Sequence, residues 1–190
     1  MTLLERAKAL KKLGFLPEDS DPAALVARAE ASDEVDIKEA PASALLLVAG
    51  RLLELPADAA PELGDYEKML AKVAAFCDGR IALSRVRARF VEREFEDEVP
   101  AETEPDAVVE LKFRLDDTEY ESELVHDPEL VDVSFMNEFD DHLESIGEDR
   151  RLCPLVELMD DTARYVFHLP EKVEEAELQE VIAATDFEGG

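Results

Sequence analysis

Val109-Glu110-Leu111-Lys112-Phe113-Arg114-Leu115-Asp116-Asp117-Thr118-Glu119-Tyr120-Glu121-Ser122-Glu123-Leu124 is a run of alternating apolar and charged residues interrupted by a pair of aspartates. Side chains of a strand alternate between its two faces, so Val109, Leu111 and Phe113 share one side. Tyr120 and Leu124 share a side of the next strand. Asp116-Asp117 supplies a two-residue turn. The resulting register can be checked: Phe113 lies opposite Tyr120 and Val109 opposite Leu124 on the buried side. On the other side Arg114 faces Glu119 and Lys112 faces Glu121, both favourable cross-strand pairs. A slip of one residue would abolish all four pairings at once.

Upstream, Val86, Ala88 and Phe90 alternate with Arg85, Arg87 and Arg89, which reads as a further strand. The polar stretch 97–106, with Pro100 and Pro105, reads as a connecting loop. Downstream, Asp127 and Pro128 open a helix that Gly147 closes, with Val131, Phe135, Phe139, His142 or Leu143, and Ile146 inward. The tripeptide Asp-Asp-Thr recurs at 160–162. It implies a second hairpin that pairs Glu157 with Arg164 and Val156 with Tyr165, with Pro154 confining its strand to an edge. A last helix starts at Pro170 and carries Val173, Ala176, Val181 and Ile182.

The first eighty residues read as helices. Thr2 and Glu5 form a capping box, and Gly14 ends the helix they start. Ser20-Asp21-Pro22 starts a second helix. Pro41 opens a third, through Leu45, Val48 and Leu52. Pro61 opens a fourth, with Leu63, Tyr66, Met69, Leu70, Val73 and Phe76 on one stripe, ending at Gly79. The expected fold is α+β: a helical region at 1–80, then an α+β domain at 81–190. The latter is built of two strand–strand–helix units, giving a largely antiparallel sheet of four to five strands with two helices on one face.

Composition narrows the function. The 190 residues include 48 Asp+Glu against 20 Lys+Arg, a formal charge of −28. Of the acidic residues, 33 follow residue 80, with only half of the basic ones. A field of that sign repels nucleic acid and anionic membranes and attracts basic proteins. Two isolated cysteines, Cys77 and Cys153, make no disulfide framework. No run approaches the ~20 apolar residues of a spanning helix, and the N-terminus lacks a signal-peptide pattern. A cytoplasmic protein is expected.

Catalytic and cofactor motifs are weak. Glu138 and His142 stand four apart on one helix, but no third metal ligand accompanies them, and a helix ion pair or half-buried imidazole is the simpler reading. Cys77 at a helix C-terminus is poorly placed for a thiolate. Of the paired aspartates, Asp116-Asp117 and Asp160-Asp161 serve turns, and neither they nor Asp140-Asp141 match a calcium loop. No glycine-rich phosphate loop is present among 7 Gly. No enzymatic activity, metal or cofactor is therefore expected. Arg85, Arg87, Arg89 and Arg93 could contact a phosphate or an acidic partner, but laddering against neighbouring Glu is the better reading. The terminal Gly189-Gly190 is reminiscent of ubiquitin-like modifiers, although Glu188 precedes it where Arg is usual.

From Phe135 to about Glu177 the chain resembles small bacterial immunity proteins of polymorphic toxin systems. The residues concerned are the helix FMNEFDDHLESIG, the segment EDRRLCPLVEL, the aromatic strand ARYVFHLP and a Glu-rich final helix. The resemblance covers under a quarter of the chain. It implies inhibition by occlusion, with an acidic face laid over a basic toxin or nuclease. The face expected to do this is the exposed side of the hairpin and its neighbouring helix: Glu119, Glu121, Glu123, Glu138, Asp141 and Glu144. The alternatives are an adaptor or structural module that is acidic for solubility, and a hydrolase with a carboxylate site of its own.

Overall fold

The computed structural model describes residues 1–32, 37–56, 62–91, 107–126, 131–155, 162–168 and 180–182. Its elements in chain order are α1 (Leu3–Lys12), α2 (Pro22–Glu30), α3 (Pro41–Val48), β1 (Leu53–Pro56), α4 (Leu63–Phe76), β2 (Leu83–Val91), β3 (Ala107–Leu115), β4 (Thr118–His126), α5 (Met136–Ser145), β5 (Arg151–Pro154) and β6 (Thr162–His168). The fold is α+β, helical first and then strand-rich. The strands form two three-stranded sheets, ordered β1-β6-β5 and β2-β3-β4, rather than the single sheet of four or five strands expected.

The helix starts follow local chemistry. Thr2 and Glu5 close the capping box of α1 reciprocally, at 3.3 and 2.8 Å. Asp21 Oδ1 accepts from the Ala23 amide at 3.0 Å, with Pro22 in the first turn of α2. Gly14 follows α1 with φ 86°, a left-handed conformation that costs glycine nothing. The third helix is shorter than expected. It stops at Val48, Gly50 turns the chain with φ 67°, and Leu52 falls outside it. Strand β1, four residues, follows and carries no period long enough to announce itself.

Two compact units make up the chain, and they do not divide at residue 80. The first takes in Met1–Leu53, Glu148–Asp160 and Arg164–Gly190; the second takes in Glu54–Gly147 and Asp161–Ala163. The reason is packing. In the first unit Ala7, Leu10, Leu25, Leu45 and Leu46 share one core with Leu155, Val166, Val181 and Ile182. Arg6 is fully buried there, donating to the carbonyls of Val181 and Ile182, the latter at 2.9 Å. In the second unit α4 packs on β2 and buries Tyr66, Met69, Leu70 and Val73. The apolar stripe that reads as the end of a helical region is thus the cover of the sheet.

The β3–β4 register is as expected, with Phe113↔Tyr120, Val109↔Leu124, Arg114↔Glu119 and Lys112↔Glu121. Asp116 takes φ 51° at the first turn position. Strand β2 pairs antiparallel with β3, and its register shifts between Ser84 and Arg87, where Arg85 takes φ 54°. A bulge of this kind re-aims the side chains that follow it. Helix α5 begins at Met136, so Val131 precedes it instead of lying on its stripe, and Ile146 is exposed rather than inward. The second hairpin is offset from expectation: Tyr165 faces Pro154, not Val156. The offset is an even number of residues, so the faces survive and the partners change. The expected turn at 160–161, the Glu157–Arg164 pairing, the starts at Asp127-Pro128, Pro61 and Pro170, Arg93, the 97–106 loop and Gly189-Gly190 lie outside the described residues.

Candidate functional site

Sheet β2-β3-β4 has one covered and one open face. Phe139 of α5 stacks on Phe113 at 5.7 Å between ring centroids, and Tyr120 stacks on Phe113 at 5.8 Å. Val109, Leu111, Phe113, Leu115 and Leu124 are all buried on this side. Residues of opposite parity point away from α5. They are Arg87 and Arg89 on β2, Glu110, Lys112 and Arg114 on β3, and Glu119, Glu121 and Glu123 on β4. The basic side chains therefore gather toward β2 and the acidic ones toward β4.

This open face is laced by ion pairs. Arg89 forks onto Glu110 at 2.6 and 2.8 Å, and Lys112 reaches Glu110 at 3.3 Å and Glu121 at 3.0 Å. The Arg89 guanidinium holds the Glu110 carboxyl down at about 2, with Lys112 assisting. Arg114 turns to Asp117 at 2.7 Å instead of its cross-strand neighbour, and Glu119 is met by Arg85 at 3.4 Å. Arg85 and Arg89 thus ladder against glutamates, as expected from their alternation, and Arg87 does not. Arg87 makes no ion pair among the described residues. It lines a shallow groove of about 340 Å³ with Arg85, Lys112, Arg114, Glu119 and Glu121.

The outer edge of β4 is defined by the hairpin. Leu115↔Thr118 closes the turn, so Thr118, Tyr120, Ser122 and Leu124 exchange hydrogen bonds with β3. The amides of Glu119, Glu121, Glu123 and Val125 then point away from it. Val125 confirms the parity, because its amide donates to Asp132 Oδ2 at 3.0 Å. Asp132 covers that end of the edge. Among the described residues no strand pairs the edge at Glu119 and Glu121.

The six acidic residues expected to form one face are split by the sheet. Glu119, Glu121 and Glu123 belong to the open side and the edge. Glu138, Asp141 and Glu144 belong to α5, which covers the other side. Glu138 is half-buried and accepts from Ser122 Oγ at 3.2 Å, whereas Asp141 and Glu144 are exposed. Sequence reasoning placed the strand, and the helix from Met136 onward, but could not say on which face of the sheet the helix lies.

His142 is 2% exposed and joins Tyr120 to Asp116. A carboxylate only accepts, so His142 Nε2 carries the proton and donates to Asp116 Oδ2 at 2.9 Å. In the neutral ring Nδ1 then accepts from the Tyr120 hydroxyl, also at 2.9 Å. The Asp116 carboxyl is lowered by His142 and by the Ala82 amide, which donates to Oδ1 at 3.0 Å. Tyr120 is raised by burial and by the charges of Glu138 and Asp141, so it stays a protonated donor. This network ties the hairpin turn to α5 and to the start of β2. The sequence signal for it was a histidine on an otherwise apolar helix stripe. Tyr66 is a further buried polar group of this unit. Its hydroxyl has no partner among the described residues, and burial, aided by Asp132, pushes it up to about 12.

Cys77 is buried at the C-cap of α4, and Cys153 faces Val166 within β5–β6. Among the described residues no group of three or more His, Cys, Asp or Glu could hold a metal, and no helix is long and apolar enough to cross a membrane. No family model, curated protein or solved structure matches the chain.

Proposed function

We propose that the protein is a non-catalytic binder that masks a basic protein partner, in the manner of an immunity protein. The observation that carries this reading is the edge of β4. Among the described residues its outward backbone groups at Glu119 and Glu121 pair with no strand and offer a ladder to an added one, and the carboxylates of Glu119, Glu121 and Glu123 favour one that carries Lys or Arg. The same charges discourage two copies from pairing edge to edge. The net charge of −28 adds long-range attraction that speeds encounter with a cationic partner.

The test compares two triple variants in affinity capture at low ionic strength, followed by association rates against salt. Glu119→Gln/Glu121→Gln/Glu123→Gln abolishes capture of a basic protein, whereas Glu138→Gln/Asp141→Asn/Glu144→Gln retains it. The association rate falls steeply as salt rises. Equal capture by both variants overturns the edge reading.

A second reading, an adaptor whose acidity serves solubility, is favoured by one observation. The α5 carboxylates face away from the β4 set, as an even coat would have them. Equal loss of solubility in the two variants, with no partner captured by the wild type, supports it. The hydrolase reading finds less support. Glu110, beside the groove on the open face, has its carboxyl lowered by Arg89, and a general acid needs the opposite.

A further inference from the structure

We propose that a cavity in the first unit binds a small oxyanion through Arg51, Arg150 and His168. This inference is independent of the partner surface. The cavity has a volume of about 150 Å³ and is walled by the turn after α1 (Gly14, Phe15), the end of β6 (Phe167, His168), Arg51 and Arg150. That volume is the share of about five waters, the size of phosphate or a short carboxylate.

Three features make it a built site. Among the described residues no Asp or Glu lines the cavity, and two guanidiniums and an imidazole do. Arg150 is pre-positioned: its guanidinium lies 4.1 Å over the Phe167 ring, and Nε donates to Glu148 Oε1 at 3.0 Å. Glu148 offsets part of its charge and fixes its orientation. His168 is 7% exposed, its ring stacked on Phe15 at 4.8 Å between centroids and 14° between planes. Its Nδ1 has no hydrogen-bond partner among the described residues. A buried ring nitrogen left unpaired is costly, and because Nδ1 has no surface open to the cavity as the ring stands, an oxyanion draws the ring toward itself to bond it. Guanidinium groups are the side chains best matched to such a ligand, since they bond carboxylate and phosphate in a fork.

The experiment is a titration of the whole chain with inorganic phosphate, and separately with acetate, followed by NMR of the His168 ring and the Gly14 amide. Sodium chloride at matched ionic strength is the control. Saturable shifts at both positions with either anion, absent with chloride, support the site, and the tighter anion identifies phosphate or carboxylate as the preferred group. Arg51→Gln weakens binding by about tenfold. His168→Phe, which keeps the stack on Phe15, weakens it several-fold. Shifts that follow ionic strength alone, that centre on Arg87 instead, or that are undiminished in Arg51→Gln overturn the proposal. The wild-type titration decides even if a variant fails to fold.

Discussion

The two units hold their cores together in different ways. The second unit is built from neighbours in sequence. Phe113, Tyr120 and Phe139 stack within 27 residues of one another, and Asp116, Tyr120 and His142 close the polar side of the same stack. The first unit is built from the two ends of the described chain. Aliphatic side chains of α1, α2 and α3 meet Leu155, Val166, Val181 and Ile182, and one buried arginine bonds carbonyls 175 and 176 positions away. Local contacts leave a periodic trace in the sequence, whereas distant ones leave only residues that are apolar for no evident local reason. Closing a long loop also costs more entropy than closing a hairpin, so the first unit depends more on each specific long-range bond.

Substitutions can break this contrast at both ends. The largest effect is expected in the second unit, where Phe139→Ala removes a fully buried ring from the stack and costs about 3–5 kcal/mol by denaturant unfolding. A loss below that range would mean that the stack is not the keystone. Next, Arg6→Leu keeps volume but strands the carbonyls of Val181 and Ile182 and costs about 2–3 kcal/mol. Hydrogen exchange sharpens the comparison: the amides near residues 180–182 lose protection while the β3–β4 amides keep theirs. A purely local effect of Thr2→Ala, which opens the capping box of α1, is about 1 kcal/mol.

The smallest expected effect is a dependence on pH. Burial lowers the His168 pKa, against the Arg151 backbone group that raises it. The folded state therefore binds fewer protons than the unfolded state below the unfolded histidine value of about 6.5. Stability is fully present above that pH and declines as pH falls through it toward the lowered folded value. His168→Phe flattens this decline between neutral and mildly acidic pH, measured by thermal melts at several pH values. An unchanged slope would show that another group carries it. Asp116 acts in a lower window. Its lowered carboxyl contributes above the unfolded value of about 3.9 and loses that contribution as pH falls below it.

The candidate surface was legible in part. Alternation placed Glu119, Glu121 and Glu123 on one side of β4, and helical spacing grouped Glu138, Asp141 and Glu144. Their separation was not legible, because a period reports which residues share a face and says nothing about which face the neighbouring element covers. Arg114 shows the same limit at one side chain. Its register was right, but an aspartate three residues on was within reach and took the guanidinium. The second hairpin slipped from its expected partners because an even offset leaves the apolar pattern intact.

By itself the amino-acid order determined the starts of α1, α2 and α3, the β3–β4 register and the acidic field, because capping, two-residue turns and charge act between residues close along the chain or need no geometry at all. Only the tertiary structure decided that α4 belongs to the sheet, that the end of the chain completes the core of its beginning, and that His142 joins Tyr120 to Asp116. Those outcomes rest on burying complementary surfaces far apart in sequence, and burial depends on shape in three dimensions, which no linear period encodes.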